Sequence, residues 1–176
     1  SLEHVERGLD ISGGVDELFS KCDIIVDCTP RGAAKRNKDR YIQHGVKAIF
    51  QGGEPPDSGK SFVAQCNYSD CLNETFIRVV SCNTTGLCRT LSAIDWKYGI
   101  DKVHATMIRR AADPWDIYHG PVNAVVPHLV VPSHHGPDVR TIMPELEIFT
   151  TSVSVPTTLM HIHSITVDLD FPATVS

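Results

Sequence analysis

No apolar run in this 176-residue chain approaches the roughly 20 residues a helix needs to cross a bilayer, and no signal-peptide pattern stands at Ser1. A basic excess is missing too. The net charge is −5 at pH 7, which offers no positive field to hold nucleic acid. The six cysteines, Cys22, Cys28, Cys66, Cys71, Cys82 and Cys88, include no CxxC pair, so a zinc ribbon is unsupported. The chain is long for a disulfide scaffold and sets several of these residues inside apolar patterns. Free thiols in a reducing, cytoplasmic compartment are therefore expected. A glycine-rich dinucleotide fingerprint is also absent, because Gly13-Gly14 has no strand before it. The pattern starts midway and stops at Phe171-Pro172-Ala173, straight after a strand. A piece of a larger protein is the expectation.

What remains is ordinary globular material, 41% hydrophobic and 21% charged, and enough of it for a real core. Gly14–Ser20 reads as a short helical turn. Cys22–Cys28 (CDIIVDC) is a compact apolar run of the kind found in central parallel strands, ending in the loop Thr29-Pro30-Arg31-Gly32. Ala33–His44 reads as a polar, cation-rich helix with Gly45 as its cap, and Val46–Phe50 as the next strand, closing in Gln51-Gly52-Gly53-Glu54. Cys22–Gly53 is thus one β-α-β unit whose two strands end in small-residue loops, where open α/β sheets place their ligands. Such glycines also serve as plain turn residues.

The stretch Val79–Leu91 (VVSCNTTGLCRTL) has a different character. An apolar strand from Phe76 to Val80 ends at Ser81-Cys82-Asn83, and Leu87, Leu91 and Ile94 follow at the spacing of a helix face. Ser and Thr at this entry suit the free N–H groups of a helix start. Cys82 then lies in the turn at a helix N-terminus, where the positive end of the dipole favours the thiolate, the form that attacks carbonyls. The plainer reading is a small buried hydrophobe.

Beyond this segment, Asp95–Asp101 reads as a turn. Lys102–Arg110 (KVHATMIRR) alternates as a half-buried antiparallel strand does. Asp113-Pro114 and Gly120-Pro121 break the chain, Val122–Val126 is a short apolar run, and Leu129–Val131 leads into a polar, proline-bounded loop at Pro132–Asp138. Glu147–Val155 and Met160–Phe171 are the last strands. On such a strand His161 and His163 point to one face, whereas the neighbours Arg109 and Arg110 point to opposite faces. The fold class is α/β: a β-α-β part, then an α+β part with a mostly antiparallel sheet. Two domains meet near residue 80.

The runs KAIFQGGE, VVSCNTTGLCRTL, RRAADP, GPVNAVVP, VPSHHGPDV and VPTTLMHIH, in this order between Lys47 and His163, resemble the archaeal-type phosphorylating glyceraldehyde-3-phosphate dehydrogenases. DIIVDCTPRG resembles the late part of that family's cofactor domain. The family's N-terminal fingerprint and C-terminal helix are not in this chain, and His128–Val131 is slightly shorter than the family's pattern.

The resemblance implies that 1–80 is the later part of a Rossmann-like NAD(P)-binding domain and 81–176 a truncated catalytic domain. It implies a homotetramer using NADP or NAD, acting on glyceraldehyde 3-phosphate and inorganic phosphate. Cys82 would be the nucleophile that carries a thioester. His161 would be the base, with His163 the alternate. Ser81, Cys82, Asn83, His135 and Gly136 would bind substrate, supported by His134, and Gly52 and Arg110 would meet the cofactor. Arg89 is a lesser phosphate candidate. Two other readings compete: an aspartate-semialdehyde or acyl-phosphate reductase of the same layout, and a non-catalytic Cys/His metal-binding module.

Overall fold

A computed structural model of the chain describes residues 7–8, 13–51, 53–111 and 120–174. Its described residues form α1 (Val15–Phe19), β1 (Ile24–Asp27), α2 (Ala33–His44), β2 (Lys47–Phe50), β3 (Lys60–Phe62), α3 (Ala64–Asn67) and β4 (Phe76–Val79). There follow α4 (Cys82–Tyr98), β5 (Ile100–Arg110), β6 (Val126–Pro127), α5 (His135–Arg140), β7 (Glu147–Val155) and β8 (His161–Leu169). No helix among the described residues is long and apolar enough to cross a membrane.

The chain divides into two compact units, one running to Lys60 and including Asn73–Val79, the other made of Ser61–Leu72 and the residues from Val80 onward. Residues 61–72, expected in the first domain, thus pack with the second. Val63 is buried in the second core, and Cys66 packs against it. Apolar burial outweighs sequence order here.

The first unit holds the parallel part of a sheet ordered β1-β2-β4-β3. Ile24 pairs with Lys47 and Asp27 with Phe50 along β1 and β2, and Ala48 pairs with Phe76 along β2 and β4. Helix α2 lays Ala34 and Tyr41 into a core with Phe19, Val46, Ala48 and Phe50. It stops at Gly45, whose φ of 65° is the left-handed cap conformation, and Val46 N–H returns to the Tyr41 carbonyl at 2.9 Å. One expectation fails. β1 is an end strand among the described residues, and Ile24 and Val26 are exposed, so it is not flanked on both sides as a central strand is.

In the second unit the sheet order is β6-β7-β5-β8. β5–β8 and β6–β7 are antiparallel while β5–β7 is parallel, so β5 is a central strand of a mixed sheet. Along it Val103, Ala105 and Met107 are buried in alternation, and α4 covers that face with Leu87, Cys88 and Leu91. Each fully buried leucine contributes about 2 kcal/mol of apolar transfer. Helix α4 runs to Tyr98, four residues into the expected turn, and ends where Gly99 takes φ 66°. The Asp95 carboxylate accepts the Ile100 N–H at 3.0 Å just beyond. The expected loop at Pro132–Asp138 also tightens into helix, since α5 begins at His135.

Candidate active site

Four elements of the second unit bring the chemically capable side chains together. Ser81 caps α4: its Oγ accepts the Thr84 N–H at 3.2 Å and lies 2.9 Å from the Thr84 hydroxyl. That engagement makes Ser81 a helix cap. Cys82 is the first residue of the helix, and its thiol is exposed and free. Asn83 turns inward and is buried, with Oδ1 2.8 Å from His163 Nε2.

His163 reaches the helix because Gly86 has no side chain. A Cβ there would sit 3.2 Å from the His163 ring. Half-buried on β8, His163 has its pKa lowered by burial, so it is neutral and able to take a proton near pH 7. His161 is on the same face, two residues earlier, but its Nδ1 accepts the Arg110 backbone N–H at 3.1 Å. It is His163 that stands beside the residue following the thiol.

The alternation of β5 puts Arg109 in phase with Val103, Ala105 and Met107, opposite His161 in the register, and Arg110 on the other face. Arg109 is thus the arginine on the histidine face, and Arg110, expected at the cofactor, faces the other side of the sheet. Arg89 is exposed on α4.

His135 lies at the start of α5, fully buried, with its Nδ1 3.1 Å from Ser133 Oγ. Ser133 donates its own proton to Thr150 Oγ1 at 2.9 Å, and Thr150 donates back to the Ser133 carbonyl. Nδ1 of His135 therefore carries the hydrogen and donates to Ser133, leaving Nε2 as an acceptor. That Nε2 is buried without a partner, and so is Nε of Arg109. Burial, then the neighbouring His134, Arg109, His163 and His161, push the pKa of His135 down to about 3. His134 is exposed and stacks on His135 at 3.9 Å between ring centroids. Gly136 is required by close approach: its N–H meets Thr150 Oγ1 at 3.0 Å, and a Cβ would fall 2.9 Å from that oxygen.

The structure thus gathers Cys82, Asn83, His161, His163, Arg109, His135 and Gly136 within one unit. Gly52 lies outside the described residues, as do His4 and His119. Gly86, Ser133 and Thr150 were missed by sequence reasoning. The glycine inside a helical pattern was a readable sign of close approach, whereas nothing local marks Ser133 or Thr150. A cavity of about 810 Å³ lies elsewhere, lined among others by Cys66, Trp96 and Met143, and contains none of the site residues. No three His, Cys, Asp or Glu side chains form a metal-holding group among the described residues, and all six cysteines are free.

Residues 81–176 match the family model described as glyceraldehyde 3-phosphate dehydrogenase, C-terminal domain. The chain is similar to the glyceraldehyde-3-phosphate dehydrogenase of Methanococcoides burtonii, 52% identical over 167 residues, covering 94% of this chain and 50% of that protein. It is similar also to that of Thermococcus onnurineus, 56% identical over 94% of this chain and 49% of the relative. The Pyrococcus furiosus protein of the same name is 55% identical over 96% and 50%. The chain spans about half the length of these curated relatives.

Proposed function

The chain belongs to the glyceraldehyde-3-phosphate dehydrogenase family, and from that premise we propose that it carries the thioester chemistry of a phosphorylating aldehyde oxidation. The observation that supports this most is the 2.8 Å contact between His163 and Asn83, which holds a neutral imidazole against the residue that follows an exposed cysteine at a helix N-terminus.

In this reading His163 takes the Cys82 proton, and the sulfur adds to the carbonyl carbon of glyceraldehyde 3-phosphate. The carbonyl oxygen receives the proton, which gives a thiohemiacetal on Cys82. Asn83 keeps the His163 ring in place. The contact uses the amide oxygen and leaves the Asn83 N–H₂ as a donor for the developing oxyanion. A bound nicotinamide dinucleotide would supply the acceptor for the hydride that leaves as the thiohemiacetal becomes a thioester, while the hydroxyl proton passes to His163. An oxygen of inorganic phosphate then attacks that carbonyl, the carbon–sulfur bond breaks, and the thiolate returns with 1,3-bisphosphoglycerate released.

The orphaned pair at the back of the site suits phosphate. Monohydrogen phosphate has an O–H suited to His135 Nε2 and anionic oxygen suited to Arg109 Nε, the two buried atoms here without a partner. The first unit suits a dinucleotide: Thr29–Gly32 and the residues after β2 follow the carboxyl ends of parallel strands, and a buried Glu54 oxygen there lacks a donor. Roles for Gly52 and Arg110 at the cofactor, the choice of NADP or NAD, the homotetramer and the cytoplasmic location follow the family resemblance.

The test is phosphate-dependent reduction of NADP or NAD by glyceraldehyde 3-phosphate, measured on the full-length protein carrying this chain, beside Cys82→Ser. Turnover is expected to fall by roughly 10⁴-fold or more in the variant. Turnover that survives makes Cys82 structural, and activity confined to aspartate semialdehyde moves the protein to another reductase class.

A further inference from the structure

The first unit holds a buried acid that the thiol chemistry does not use. Glu54, in the turn after β2, is 1% exposed. Its Oε1 accepts the Gly32 N–H at 2.8 Å, and its carbonyl accepts Nε–H of the buried Arg78 at 2.6 Å. Its Oε2 is buried and has no hydrogen-bond partner. Gly32 opens α2 after β1, Glu54 follows β2, and Arg78 lies on β4, so the Glu54 carboxylate ties the loop after β1 to the turn after β2 while its backbone carbonyl holds the β4 arginine.

Two readings separate at Oε2. As a remote cap, Glu54 needs only Oε1 at the N-terminus of α2, which has no side-chain cap of its own. A buried carboxylate oxygen with no donor is destabilising, and a cap alone does not account for withdrawing it from water. Charge narrows the missing partner. A carboxylate repels the pyrophosphate of a dinucleotide but accepts well from a neutral hydroxyl, and acids at strand ends of nucleotide-binding sheets read ribose hydroxyls in this way.

Resting on the proposed cofactor, we infer that Glu54 Oε2 accepts a ribose hydroxyl of the bound nicotinamide dinucleotide while Oε1 fixes the loop Thr29–Gly32. The same carboxylate shapes the loop and binds the sugar.

The experiment compares Glu54→Gln and Glu54→Ala with wild type in the full-length protein carrying this chain. It reads hydrogen exchange at the Gly32 amide and the dissociation constants of NADP and NAD. The Gln variant keeps an acceptor for Gly32 but presents an N–H₂ to the sugar. Gly32 protection is expected to stay at the wild-type level while affinity for the dinucleotide falls tenfold or more. The Ala variant is expected to lose both. Glu54→Gln binding within twofold of wild type overturns the inference and leaves Glu54 a cap. Wild-type protein that binds neither dinucleotide overturns the cofactor reading, and the inference with it.

Discussion

Asp27 in the first unit and His135 in the second are both buried polar residues, and they are satisfied to opposite degrees. The Asp27 carboxylate accepts from the Thr29 N–H at 2.9 Å, the Thr29 hydroxyl, Asn37 at 3.0 Å and the Tyr41 hydroxyl at 2.8 Å. Around His135 the bonds run to Ser133 and Thr150, yet His135 Nε2 and Arg109 Nε have no partner. A closed network fixes the loop after β1. The open one leaves two buried polar atoms unsatisfied, and the proposed phosphate is what would complete it.

Breaking the closed network produces the larger effect on stability. Asp27→Ala leaves the Thr29, Asn37 and Tyr41 donors facing an empty space, and unfolding free energy should fall by about 2–4 kcal/mol. Denaturant titration of the two proteins measures this. A loss under about 0.5 kcal/mol means that water replaces the carboxylate freely and the loop is not held as described.

Acid sharpens the contrast through the pH at which each cluster fails. His135 has a folded pKa near 3 against an ordinary value of 6.5, so below pH 6.5 the unfolded chain binds a proton that the folded chain refuses. Its contribution is therefore lost as the pH falls from 6.5 toward 3, at up to about 1.4 kcal/mol per pH unit. Burial raises the pKa of Asp27, but the hydrogen bonds from Thr29, Asn37 and Tyr41 outweigh it and the net shift is downward. Stability from Asp27 thus persists above its ordinary value of 3.8 and is lost only below it. Replacing His135 by Asn should flatten the stability curve between pH 6.5 and 4, whereas an unchanged slope assigns the acid sensitivity to other groups.

Much of this was legible because local signals and burial agreed. Helix α2 and its Gly45 cap, the ends of β7 and the placing of Cys82 at a helix start all follow from patterns of a few residues. Arg109 was legible too, since Val103, Ala105 and Met107 set the phase of β5, but the resemblance drew attention to Arg110. The parallel pairing of β5 with β7 was not, because each partner lies more than forty residues from the other and alternation is the same for either direction. The bond between His163 and Asn83 spans 80 residues, which no local pattern encodes. The end of α4 was misjudged for a local reason: Asp95 reads as a turn residue, yet it sits inside the last helical turn and accepts from beyond it.

The central claim is that the surroundings of Cys82, and not exposure alone, make it reactive. Cys28 is an exposed free thiol in the other unit and serves as the internal control. We would follow alkylation of this chain by iodoacetamide at pH 7 with peptide mass spectrometry, beside His163→Asn. The account predicts that Cys82 reacts at least tenfold faster than Cys28 and that the substitution removes most of this advantage while leaving Cys28 unchanged. Equal rates at Cys82 and Cys28 in the wild-type chain would contradict it.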